Sequence, residues 1–129
     1  MNEMYTSRVT GGIAMPAFAR FYYLTGSSLT DGDNGFIINN TGIYLTYYHM
    51  VISTPTTGLS ITTQLNDSNG ILIPRTNITN EILSAEQHVF AINTVLSLEA
   101  GDEVSFVLTS TGTANISRHN GVIMFLQIG

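Results

Sequence analysis

The sequence predicts an all-β sandwich or barrel on three observations. Glycines and short polar clusters interrupt the chain roughly every 8–15 residues, the spacing of short strands joined by tight turns. No segment of helical length places apolar residues at 3.6-residue intervals between helix caps. Apolar residues form 43% of the 129, enough for a real core in a single domain.

In chain order, strands are predicted at Ala17–Leu24, Gly35–Ile38, Ile43–Ser53, Gly58–Asn66, Ile71–Pro74, Val89–Leu98, Glu103–Thr109 and Gly121–Ile128. The run NDSNG, Asn66–Gly70, reads as a hairpin turn, and AGD, Ala100–Asp102, as another tight connection. The best helical candidate, NEILSAEQH over Asn80–His88, is short and reads as loop or one turn.

The strands are of two kinds. Gly58–Asn66 alternates, with Leu59, Ile61, Thr63 and Leu65 facing away from Ser60, Thr62, Gln64 and Asn66, so one face is buried and the other wet. Gly121–Ile128 carries Val122, Ile123, Met124, Phe125 and Leu126 without a break, and Glu103–Thr109 carries Phe106, Val107 and Leu108 in a row. Ile43–Ile52 is apolar on both sides. Ile43, Leu45, Tyr47 and Val51 share one face; Tyr44, Tyr48, Met50 and Ile52 share the other. Both faces of such a strand need cover. Each large apolar side chain kept from water is worth roughly 1.5–3 kcal/mol. With no helices to supply cover, a neighbouring subunit is expected to do so.

Charge narrows the possible roles. The net charge is −5, lysine is absent, and the arginines are Arg8, Arg20, Arg75 and Arg118. That leaves no basic cluster for nucleic acid or for an anionic membrane surface. Charged residues are only 10% of the chain, so Ser, Thr and Asn must provide a neutral, hydrogen-bonding surface. Cysteine is absent, which removes disulfides and thiolate chemistry. No apolar run is long enough to span a bilayer, and MNEMYTSRVT is not a secretion signal. Sequons begin at Asn39, Asn66, Asn77 and Asn115 and read as polar surface.

The stretch LTDGDNGF suggests a calcium loop but fits no EF-hand register. Counting from Asp31, positions 5, 6 and 12 are Gly35, Phe36 and Gly42; counting from Asp33, position 3 is Gly35. A tight turn explains these residues better, leaving Asp31 and Asp33 as weak metal candidates. His49, His88 and His119 are too dispersed for a metal-binding motif within one chain. If His49 faced a threefold axis, three copies could hold one metal. Its parity instead groups it with Ile43, Leu45 and Tyr47, which are assigned to the core. No G-x-S-x-G elbow is present, and a phosphate-binding G-x-x-x-x-G-K loop is impossible without lysine. Glu86 with His88 reads as a surface contact, and Asp102 with Glu103 as a turn acid beside a strand start. No catalytic residue and no cofactor are assigned.

Several segments, taken in order, resemble the complement-type globular heads of the tumour-necrosis-factor-like family. IYLTYYHM at Ile43–Met50, after Asn40-Thr41-Gly42, resembles their G-x-Y-x-F-x-Y-H strand. LSLEAGDEV at Leu96–Val104 resembles L-x-L-x-x-G-D-x-V, and NGVIMFL at Asn120–Leu126 resembles the closing S-G-F-L-L strand. AFAR at Ala17–Arg20 and Gly35-Phe36 fall where the family has A-F-S-A and G-x-F. The resemblance runs from about Pro16 to the C-terminus. It implies a ten-stranded jelly roll that assembles as a compact homotrimer, with the Tyr strand and the closing strand facing the threefold axis. The cysteine-free, Ser/Thr/Asn-rich character is most similar to the C-terminal heads of bacterial collagen-like spore-surface (exosporium) glycoproteins. No Gly-X-Y stalk is present, so the expectation is an isolated head or a stalkless relative. Some complement-type heads hold calcium near the trimer apex; Asp31 and Asp33 do not match those ligands.

The expectation is therefore an N-terminal arm over residues 1–15 and a jelly-roll head over 16–129. Tyr44, Tyr48, Met124 and Leu126 are expected at the trimer interface, and Leu45, Leu59, Ile61, Phe106 and Phe125 in the core. The expected role is non-catalytic display or adhesion at a spore or particle surface, outside the cell, with a surface protein or glycan as possible receptor. A phage-fibre tip or secreted ligand is the alternative, and a carbohydrate-binding jelly roll the third.

Overall fold

The computed structural model describes residues 2–9, 13–14, 29–31 and 35–129. Among them the chain is all-β, with antiparallel strands in two sheets and no helix. The strands are β1 (Asn2–Val9), β2 (Ile13–Ala14), β3 (Leu29–Asp31), β4 (Phe36–Ile38), β5 (Gly42–Ser53), β6 (Leu59–Asn66), β7 (Ile78–Ile82), β8 (Gln87–Leu98), β9 (Glu103–Ser110) and β10 (Ala114–Gln127). One sheet has the order β1-β10-β5-β8. The other runs β3-β4-β9-β6-β7, with β2 also on β9. In the first sheet β5 is an inner strand, paired along its length with β8 and over most of it with β10.

The two sheets enclose one core. From the first come Tyr44, Tyr48, Met50, Ile52, Phe90 and Phe125; from the second, Phe36, Ile61, Leu65, Val104, Phe106 and Leu108. Among the described residues two ring contacts bridge the layers. Tyr48 meets Phe106 edge-on with centroids 5.1 Å apart, and Phe36 meets Phe125 at 5.8 Å. Edge-to-face and tilted contacts of this kind suit the aromatic quadrupole.

Turn chemistry sets the strand ends. Gly70, at φ 76°, closes the turn after β6, where its N–H donates to the Asp67 carbonyl at 3.0 Å. Gly101, at φ 94°, stands in the β8–β9 turn, where the Asp102 N–H donates to the Glu99 carbonyl. Both backbones are left-handed, the region glycine enters without Cβ strain. Beyond Gly70, Ile71–Pro74 is not a strand. It makes one isolated bridge, Leu72 with Asn66, before the chain turns through Arg75 at φ 68°. Asn80–His88 holds no helix: it spans the end of β7, a loop and the start of β8. Asn2–Val9, expected in an arm, runs antiparallel to β10 at the edge of the first sheet. The expected strand Ala17–Leu24 lies outside the described residues.

Parity in β5 corrects the expected assignments. Tyr44 and Tyr48 are not at an outer surface; both are fully buried in the core, and Leu45 points outward instead. Bonding explains the choice. A buried phenol needs a partner for its O–H. Tyr44 donates to the Asn40 carbonyl at 2.6 Å, and Tyr48 donates to the Thr76 carbonyl at 2.7 Å. Thr46, between them, is small enough to sit wholly inside. The other expected core residues lie inward: Ile61, Phe106 and Phe125 are buried, and Leu59 packs on the core from its margin.

Candidate functional site

The feature that most needs explanation is the outer face of the β1-β10-β5-β8 sheet. Its rows follow from the register. Leu126, Leu45 and Val95 lie side by side across β10, β5 and β8. The next rows are Met124, Tyr47 and Asn93, then Val122, His49 and Ala91. Val51 and Val89 extend the face in one direction and Ile43 in the other. Val89, Val95 and Ile43 are 49%, 46% and 37% exposed, and Leu45, Tyr47, Val51, Val122, Met124 and Leu126 are half-buried. Met124 and Leu126 thus share the outward face on which they were expected, beside Leu45 and Tyr47 in place of Tyr44 and Tyr48.

Charge is distributed away from this face. Among the described side chains, Asp67, Glu81, Glu86, Glu99, Asp102 and Glu103 lie in the second sheet, its margins or the connecting turns. Among the described side chains, a chain of net charge −5 therefore has one broad surface on which copies can meet without opposing carboxylates.

His49 sits in the middle of the face. Its ring is half-buried, and no hydrogen bond to another described residue engages it. His88 differs, because its Nε2 lies 3.0 Å from the Ser84 carbonyl. The same serine donates through Oγ to Glu86 at 3.3 Å, so Glu86 and His88 meet through Ser84 at an exposed loop. Asp102 and Glu103 stand at the β8–β9 turn and the start of β9, where the Glu103 N–H donates to Ser68 Oγ at 2.7 Å. Asp31 belongs to β3, paired with Phe36 of β4, and Asp33 lies outside the described residues. Among the described residues no three His, Asp or Glu side chains of one chain converge on a metal position.

Burial also shifts the inward phenols. It raises the Tyr44 phenol above its ordinary value and pushes Tyr48 up to about 12. Both stay neutral and act as donors, which marks them as structural groups.

Among the described residues no helix is long and apolar enough to cross a membrane. No family model matches the chain, and a search of curated proteins finds no relative. In three dimensions the chain is similar to the Eiger TNF from S. frugiperda. The TM-score is 0.55 and the sequence identity 13%, over 98% of this chain and 93% of that one. That likeness shows a TNF-like β fold.

Proposed function

We propose that the chain is a non-catalytic, TNF-like jelly-roll head that assembles as a homotrimer through the outer face of the β1-β10-β5-β8 sheet. Its proposed role is structural display or adhesion at a spore or particle surface. The observation that carries the proposal is the contiguous apolar surface of Leu45, Tyr47, Val122, Met124 and Leu126, with no carboxylate among the described side chains of its face, on a chain rich in Ser, Thr and Asn. Contiguous apolar surface of this kind ordinarily meets another protein surface. The sequence resemblance and the TNF-like fold favour a closed ring of three copies, and closed point-group symmetry is the rule for soluble homo-oligomers.

Light scattering on the purified protein tests this. The expected mass is three times that of the 14.0 kDa chain. Met124→Glu would set three carboxylates against apolar neighbours and dissociate the assembly. Leu83→Glu, on a residue 77% exposed in the β7–β8 loop, leaves the mass unchanged. A monomer at micromolar concentration would refute the proposal, as would a Met124→Glu protein of undiminished mass.

A further inference from the structure

We infer that three copies of His49 form a binding site for one divalent transition-metal ion at the centre of the assembly, of the class that includes zinc and cobalt(II). This rests on the three-copy reading above and adds a ligand to it.

Position is the first support. β5 is flanked on both sides by paired strands, and His49 lies in a row with Val122 and Ala91, with further outward rows on either side. When three sheets face one axis, side chains in the middle of each face come nearest to it, so a threefold axis gathers three imidazoles at one level. The chemistry is the second support. Three neutral imidazoles and one water or anion make the tetrahedral set that zinc takes when a coordination position is left open. Imidazole nitrogen without carboxylate suits zinc, cobalt, nickel or copper and does not suit calcium or magnesium, which need oxygen ligands. One chain alone gathers no such group among its described residues.

The ring's bonding state is the third support. His49 is half-buried among apolar neighbours, and its ring has no hydrogen-bond partner among the described residues. Covering it with another subunit would strand both ring nitrogens unless something new engages them. A metal takes one nitrogen from each copy. The other requires an acceptor, as ligating histidines generally do. Among the described residues, Asn93, diagonal to His49 on the adjacent strand, is a polar side chain placed to serve. Electrostatics permit the ion. Each chain brings a net charge of −5.

The test uses the untagged full chain, stripped with chelator and titrated with cobalt(II) and then zinc. Molar mass, metal content and visible absorption are read on the same samples. The expected result is one cobalt per three chains with the intense absorption of tetrahedral coordination, displaced by zinc. His49→Gln should keep the trimer mass and weaken binding roughly a hundredfold or more. His88→Gln should bind as the wild type does. A trimer that binds no cobalt, binds it at another ratio, or binds it equally well as His49→Gln overturns the site and leaves the assembly standing. A monomeric wild type overturns both. If His49→Gln does not assemble, paramagnetic shifts of the His49 ring in cobalt-loaded wild-type protein support the site, and unshifted His49 resonances overturn it.

Discussion

Replacing Tyr48 by Phe removes one oxygen atom and tests how the two sheets are locked together. The Tyr48 O–H donates to the Thr76 carbonyl at 2.7 Å. That uses its only proton, so the second contact, 2.9 Å to Thr63 Oγ1, has the threonine as donor. Tyr48 is on β5, Thr63 on β6 of the opposite sheet, and Thr76 in the segment leading to β7. All three are buried. In Tyr48→Phe a buried carbonyl loses its donor and a buried hydroxyl loses its acceptor. At about 1–3 kcal/mol for each stranded group, softened by rotation of the threonine, the loss should be about 2–4 kcal/mol. Adding Thr63→Val removes one stranded group, so the double variant should lose less than the sum of the singles.

The alkaline limb gives a second readout on the same variant. In the fold Tyr48 is pushed up to about 12, against roughly 10 when unfolded. The neutral phenol is thus held more tightly in the native state. Its contribution is fully present below pH 10 and is lost as pH rises through 12. Two units correspond to about 3 kcal/mol. Urea unfolding at fixed protein concentration, at pH 8 and across pH 10–12, measures both effects. Tyr48→Phe should be less stable at pH 8 and should fall less steeply at high pH, with part of the slope kept by Tyr44, also raised by burial. A loss below about 0.5 kcal/mol at pH 8, or an unchanged alkaline slope, would refute the buried hydroxyl network.

Three further substitutions probe the scaffold. Gly35→Ala would drive a methyl group into the Val104 carbonyl, with Val104 C at 2.7 Å and Ser105 Cα at 2.9 Å, so the β4–β9 pairing must yield. A loss of about 3 kcal/mol is expected in urea unfolding. Thr76→Val leaves the Leu65 N–H, which donates to Thr76 Oγ1 at 3.1 Å, buried without an acceptor. About 2 kcal/mol should be lost, with faster hydrogen exchange at Leu65 by NMR. Asp67→Ala removes the oxygen that accepts from the Asn69 and Ile71 N–H groups at 2.9 and 3.1 Å. This exposed turn should cost about 1 kcal/mol, read as a lower thermal midpoint with unchanged molar mass.

Much of the fold was legible because several strands carry strong local signals. Gly58–Asn66 alternates cleanly and appears as β6, and the turn residues of AGD fix the start of β9 at Glu103. The segments that escaped have mixed signals. In β7, Ile78 and Ile82 face inward at period two, but Asn80 and Glu81 between them resemble a helix start. The first half of β10 places Ala114 and Ile116 inside, yet its polar neighbours and the sequon at Asn115 read as surface. Ile71–Pro74 is apolar enough for a strand, but it makes only one bridge before Pro74 and the left-handed Arg75 turn the chain away.

The outward face was half legible, and β5 shows why. Hydrophobicity establishes that both of its faces are covered or need cover, but it cannot rank a Tyr-Tyr-Met-Ile set against an Ile-Leu-Tyr-Val set. The ranking comes from polar groups whose partners are distant in sequence. Tyr48 can go inside because Thr63 and Thr76 wait for its hydroxyl, 15 and 28 residues on. His49 has no such partner among the described residues and is half-buried on the outside. The local clue was the histidine itself. A face that includes an imidazole is costlier to seal in a monomer core than one whose polar groups are two phenols and a threonine. That same cost bears on any subunit that covers the face, since in the proposed trimer it must bring the three imidazoles hydrogen-bond partners or an ion. A metal-dependent assembly and a metal-indifferent one therefore predict opposite effects of His49→Gln on trimer stability. With metal, the substitution weakens a bridge between chains. Without it, replacing a stranded imidazole by an amide leaves the assembly unaltered or strengthens it.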